Sequence, residues 1–103
     1  MIKHIVMWRV KDETKYGSKE EALRQAKEKL EALKSKISEI VFLEAGINYN
    51  TTEAAYDLVL YSEFKTDEDL QTYQVHPEHL KVVEFMKEIV VPNSRVVVDY
   101  ESN

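Results

Sequence analysis

Apolar residues alternate along the first stretch of the chain, Ile2 to Val10, with His4, Val6, Trp8 and Val10 on one side and Ile5 and Met7 on the other. Period-two spacing among β-branched residues predicts a strand, and apolar character on both sides predicts burial of both faces. Beyond a loop at Tyr16-Gly17 the period changes: Leu23, Ala26, Leu30, Leu33 and Ile37 step by three and four residues, laying one apolar stripe along a helix. Ser18 followed by Glu21 reads as a capping box at its start, and Glu20–Arg24 as a weak surface pair. A second strand is expected over Ile40–Ile47, with Gly46 marking a bulge or its end, then a turn at Asn48–Thr52. A third strand over Tyr56–Phe64 places Tyr56, Leu58, Leu60 and Phe64 on one side and Val59 and Tyr61 on the other. Thr66 caps a short helix that carries Leu70 and Tyr73. At His76-Pro77 the chain must turn, because the residue before proline is pushed toward extended geometry, and Pro77 suits the first position of a new helix. Leu80, Val83, Met86 or Lys87, and Val90 continue that helix until Pro92-Asn93, and Ser94–Glu101 forms the last strand.

The order β-α-β-β-α-β, with its second helical segment broken in two, matches the ferredoxin-like split βαβ motif. The expected fold class is α+β: one domain over residues 1–103, with an antiparallel four-stranded sheet and its helices on one face. No repeat, linker or low-complexity segment interrupts it. Helices of this number cover one sheet face only, whereas Val6, Trp8, Leu58 and Leu60 stand on one face and Ile5, Met7, Val59 and Tyr61 on the other. An uncovered apolar sheet face marks an interaction surface. The expected partner is a second copy, giving a homodimer whose sheets pack together or curl around a shared interior.

Composition narrows the chemistry. There is no cysteine, so disulfides, thiol catalysis and cysteine zinc sites are out, and two glycines are too few for a Gly-rich phosphate cradle. Fourteen Lys and Arg against nineteen Asp and Glu leave a net charge of −5, which argues against nucleic acid as a partner. The basic run from Lys15 to Lys36 reads as the solvated face of a helix. No apolar stretch reaches the roughly 18 residues of a membrane span, so a cytoplasmic location without membrane attachment is expected.

What remains for chemistry is the segment Tyr73-Gln-Val-His76-Pro77-Glu78-His79 together with His4; these hold all three histidines of the chain. Histidine takes and returns a proton near neutral pH, and a tyrosine hydroxyl can donate to an oxygen on which charge develops. The break at Pro77 sets Tyr73 near the end of one helix and His79 in the first turn of the next. Tyr73 and His79 are therefore the candidate catalytic pair. His4, Val6, Trp8, Leu58, Leu60 and His76 are the residues expected to line a ligand. Two alternatives stand beside this reading. Tyr and His at helix ends are ordinarily packed residues with satisfied hydrogen bonds, and His4, His76 and His79 could chelate a metal. Neither a metal site nor a cofactor is assigned.

The chain resembles the stress-responsive A/B barrel (Dabb) domain family. The resemblance spans nearly the whole chain and rests on four features: the opening Met-Ile-Lys-His-Ile-Val with the following Lys11-Asp12, the Tyr56–Phe64 strand, the Y-x-x-H-P-x-H segment from Tyr73 to His79, and the closing Val-Val-Val-Asp-Tyr. It implies a dimeric α+β barrel built from ferredoxin-like protomers. One plant branch of the family closes polyketides by intramolecular aldol chemistry without a metal. The resemblance to it implies Tyr73 and His79 as acid–base pair, His4 in the pocket, and a small apolar or polyketide-like ligand. The chain departs from that branch in two places: Leu58 stands where the branch has a pocket histidine, and no aromatic residue stands near Lys27 where it has a tyrosine. Other relatives are called stress proteins, and some bind a divalent cation. Three functions are thus open: a small-molecule-binding or stress-associated homodimer without turnover, a cofactor-free cyclase or lyase, and, by fold analogy alone, a cofactor-free monooxygenase or haem-degrading protein. Convergence of Tyr73 and His79 on one largely apolar cavity would favour an acid–base enzyme.

Overall fold

The computed structural model describes residues 1–103. Its elements follow in the order β1 (Ile2–Trp8), β2 (Glu13–Thr14), β3 (Gly17–Ser18), α1 (Lys19–Lys36), β4 (Ile40–Ile47), β5 (Leu58–Phe64), α2 (Asp67–Val75), α3 (Pro77–Ile89) and β6 (Val96–Glu101). The four long strands form one antiparallel sheet in the order β4-β5-β1-β6. With the helices against one face, this is the ferredoxin-like α+β fold that the element order predicts. The loop expected at Tyr16-Gly17 contains a small hairpin, β2–β3, in which Gly17 takes φ 108°, a left-handed conformation that glycine adopts without a Cβ clash.

Short side chains set the element boundaries. Ser18 Oγ accepts from the Glu21 N–H at 3.3 Å and Thr66 Oγ1 from the Asp69 N–H at 3.1 Å, satisfying donors left open at each helix start. The capping box is only half made, because the Glu21 carboxylate turns to Arg24 and Gln25. For the same reason the expected Glu20–Arg24 pair does not form: Arg24 bridges Glu21 at 2.6 Å and Glu28 at 3.0 Å. Gly46 carries no bulge. It pairs with Val59, and a Cβ there would lie 3.1 Å from the Val59 side chain, so glycine permits close approach; the register shift lies at Ile40/Phe42. Asn93 turns the chain into β6 with φ 64°.

One core lies between the helices and the inner sheet face. Val6, Trp8, Leu58, Leu60 and Phe64 meet Leu23, Leu30 and Leu33 of α1 and Val82, Phe85, Met86 and Ile89 of α3. The inner face of β5 continues through fully buried Ser62, whose hydroxyl donates to the His4 carbonyl at 3.3 Å. Along α3 the spacing Leu80, Val83, Met86 and Val90 is buried only at Met86: Leu80 is 49% exposed, and the buried positions are Val82, Phe85, Met86 and Ile89. Two apolar stripes overlap on this helix, and the His76-Pro77 break sets which one meets α1 and the sheet. The outer sheet face is uncovered and apolar, with Met7, Phe42, Val96, Val98 and Tyr100 all exposed. No helix is long and apolar enough to cross a membrane.

Candidate active site

Alternation along β1 sends His4, Val6 and Trp8 to the inner face, where Leu60 of β5 joins them. Opposite stand Tyr73 from the last turn of α2 and a stripe of α3 that begins at His79 and continues through Val83, Met86, Lys87 and Val90. These walls enclose a cavity of about 270 Å³, and nine of its thirteen lining residues are hydrophobic. That is just under the roughly 300 Å³ at which drug-sized pockets begin, so the space suits a small, mainly apolar molecule. Val83 and Val90, which continue the apolar spacing of this segment, are half-buried and form cavity wall.

Tyr73 has no exposed surface, and its hydroxyl has no hydrogen-bond partner. Burial raises its pKa well above the ordinary 10.0, so it remains a neutral O–H donor. Its ring centroid lies 4.4 Å from that of His79 and 6.2 Å from that of His4, with Phe64 at 5.1 Å behind it.

His79 is held by the backbone turn that Pro77 creates. Its Nδ1 lies 3.0 Å from the Gln74 carbonyl oxygen. A carbonyl only accepts, so Nδ1 carries the proton and Nε2 keeps its lone pair. Burial holds the His79 pKa below its ordinary value of 6.5, outweighing the Gln74 hydrogen bond. A neutral imidazole with a free Nε2 is a base. His4 is oriented from the other side: its Nδ1 meets the Asp99 carboxylate across the β1–β6 pair. A carboxylate behind a histidine fixes its tautomer and ring plane.

Six of the eight site residues expected from sequence line this one cavity: His4, Val6, Trp8, Leu60, Tyr73 and His79. Two do not. Leu58 is buried in the core at the far end of β5, opposite Trp8 and Ile47. His76 caps α3, its Nδ1 accepting the Glu78 N–H at 3.0 Å, so its ring is committed to the backbone. Conversely, Arg95, Lys87 and Asp99 belong to the cavity or its support and were not anticipated. The alternation Arg95, Val97, Asp99 on the final strand was the available signal. No group of three or more His, Asp or Glu side chains is placed to hold a metal ion.

Comparison with known proteins finds the Stress responsive A/B Barrel Domain (Dabb) matching residues 2–102. A stress-response A/B barrel domain-containing protein of Arabidopsis thaliana is 26% identical over 99 residues, covering 89% of this chain; the chain spans 32% of that relative's length. Among solved structures, a dimeric protein of unknown function and ferredoxin-like fold from Bacteroides fragilis is 38% identical, with TM-score 0.86, covering 98% of this chain and 95% of that one. The hydroxynitrile lyase of Passiflora edulis shares the fold at 20% identity and TM-score 0.77, covering 99% of this chain and 93% of that one.

Proposed function

The chain belongs to the stress-responsive A/B barrel domain family, and from that premise we propose that it is a homodimer that binds a small, mainly apolar molecule carrying a carbonyl oxygen. The observation that supports this most is the Tyr73 hydroxyl, a fully buried donor without a partner, on a residue that lines a largely apolar cavity. Buried donors of this kind are rare, and a ligand oxygen would satisfy this one. Dimerisation is supported by the exposed apolar outer sheet face and by the dimeric Bacteroides fragilis relative. Trp8 is the sole tryptophan and lines the cavity, so its fluorescence reports occupancy. Titration with 2-octanone is expected to give a saturable change, weakened about threefold to tenfold in Tyr73→Phe by loss of one hydrogen bond. No saturable change in the wild-type protein would overturn the reading.

A second reading is favoured by the free Nε2 of His79, whose ring centroid lies 4.4 Å from that of Tyr73. On a ligand with an acidic C–H next to its carbonyl, His79 Nε2 would take the proton while Tyr73 O–H donates to the enolate oxygen. The imidazolium then returns the proton to the product. Such acid–base assistance contributes about 10²–10⁴-fold. Deuterium exchange of acetylacetone, followed by NMR against a protein-free control, measures it. Acceleration lost in both Tyr73→Phe and His79→Ala supports an acid–base enzyme; a rate equal to the control ends that reading and leaves binding alone.

A further inference from the structure

The chain has three arginines, and two are fully engaged. Arg9 donates to the carbonyls of Ala55 and Glu53 and lies over the Tyr56 ring, while Arg24 bridges Glu21 and Glu28. The guanidinium of Arg95 forms neither, although acidic residues outnumber basic ones in this protein. Arg95 lies just before β6, two residues from Val97 and four from Asp99, and so shares the inner sheet side with Val6 and His4. It is both exposed to solvent and part of the cavity lining, which places it at the mouth. Lys87 stands there too, but its ammonium is shared with Glu84 at 3.2 Å. Of the acids on the same strand face, Asp99 is taken by His4 and Glu101 lies at the far end of β6, opposite Ile2. Arg95's positive charge is felt at both Tyr73 and His79, where it opposes protonation.

From this arrangement we infer that the ligand is a small carboxylate whose apolar body also carries the carbonyl oxygen, its carboxylate on Arg95 at the mouth and its carbonyl in the cavity toward Tyr73 and His79. The inference rests on the reading of this cavity as a ligand site. A planar guanidinium matches a carboxylate through two parallel N–H donors. One uncommitted arginine balances a single negative charge, which favours a carboxylate over a phosphate dianion.

The test compares 2-octanone, 7-oxooctanoate and 6-oxoheptyl phosphate, which share one methyl-ketone end, by Trp8 fluorescence on the intact protein. 7-Oxooctanoate is expected to bind about threefold tighter than 2-octanone at low salt, a modest factor because Arg95 is solvent-exposed. That advantage should shrink in about 0.5 M salt, where screening is short-ranged. Arg95→Gln should abolish that advantage, and Arg95→Lys should restore part of it. Equal binding of 2-octanone and 7-oxooctanoate, or a 7-oxooctanoate preference that survives in Arg95→Gln, overturns the inference while the cavity reading stands. Tighter binding of 6-oxoheptyl phosphate than of 7-oxooctanoate overturns the choice of carboxylate. No response to any of the three overturns the cavity reading and this inference together.

Discussion

Tyr73 illustrates how a single atom departs from what packing alone would choose. Its ring is well placed among Phe64, His4 and His79, yet its hydroxyl is buried without a partner. An unsatisfied buried hydroxyl costs about 1–3 kcal/mol. Tyr73→Phe is therefore expected to leave stability unchanged or raise it by about 1 kcal/mol in urea unfolding, while ligand binding weakens. A loss of more than about 1 kcal/mol would show that the hydroxyl is already satisfied. His79 makes a pH prediction. Its folded pKa lies below the ordinary 6.5 because burial disfavours the imidazolium. The unfolded chain thus binds the proton more readily, so stability is full above 6.5 and falls as pH drops from 6.5 toward the depressed folded value. His79→Gln should flatten that part of the profile of urea midpoints against pH; an unchanged profile would refute the assignment. Glu21, held at about 2 by Arg24 and Gln25, titrates below its ordinary 4.5 and so acts in a lower window.

Among the elements, the α2–α3 junction does most to build the site. Proline at the first position of α3 ends α2 at Val75 and resets the helical phase, which turns His79 inward while leaving His76 to cap. The Y-x-x-H-P-x-H segment made this junction legible from sequence, because proline's effect on its neighbours is local. Which apolar stripe of α3 meets the core was not legible: Leu80-Val83 and Val82-Phe85-Ile89 both fit helical spacing, and packing against α1 chose the second. The surface pair of Arg24 failed for a similar reason, since Glu20, Glu21 and Glu28 all lie within reach of it along the helix. If His76 serves as a cap, His76→Ala costs about 1 kcal/mol in urea unfolding and His76→Asn costs only a few tenths, since Asn caps well. Equal losses in both variants would assign His76 another role.

At the scale of the whole molecule, helices cover one face of the sheet and leave the other bare. Met7 at 38%, Phe42 at 43% and Val98 at 59% exposure form an apolar surface of the kind that two copies bury together. Lys3, Tyr61 and Glu63 interrupt it with a bonded polar cluster: Lys3 Nζ lies 2.9 Å from both Tyr61 Oη and Glu63. Placing a charge at the centre of this face should break the pairing. Wild-type protein is expected to sediment at twice the chain mass of 12.1 kDa, and Val98→Lys or Met7→Lys to sediment as the single chain with the fold intact by circular dichroism. A monomeric wild-type protein, or dimeric variants, would move the interface elsewhere.

Period-two and helical spacing, two prolines and a handful of capping residues were enough to establish the element order, the ferredoxin-like fold and the pairing of Tyr73 with His79. Those signals are local, and each acts within one or two turns of chain. The cavity's remaining polar groups are not local. Asp99 reaches His4 across 95 positions of sequence, and Arg95 and Lys87 meet at the mouth from different elements. Folding also left Leu58 in the core and His76 on the backbone, because strand position and a free backbone N–H, rather than residue type, selected their partners. Residue types alone could nominate a histidine as a base; it took the fold to supply the carbonyl that fixes its proton and to bring up the ring of Tyr73 with its unpaired hydroxyl.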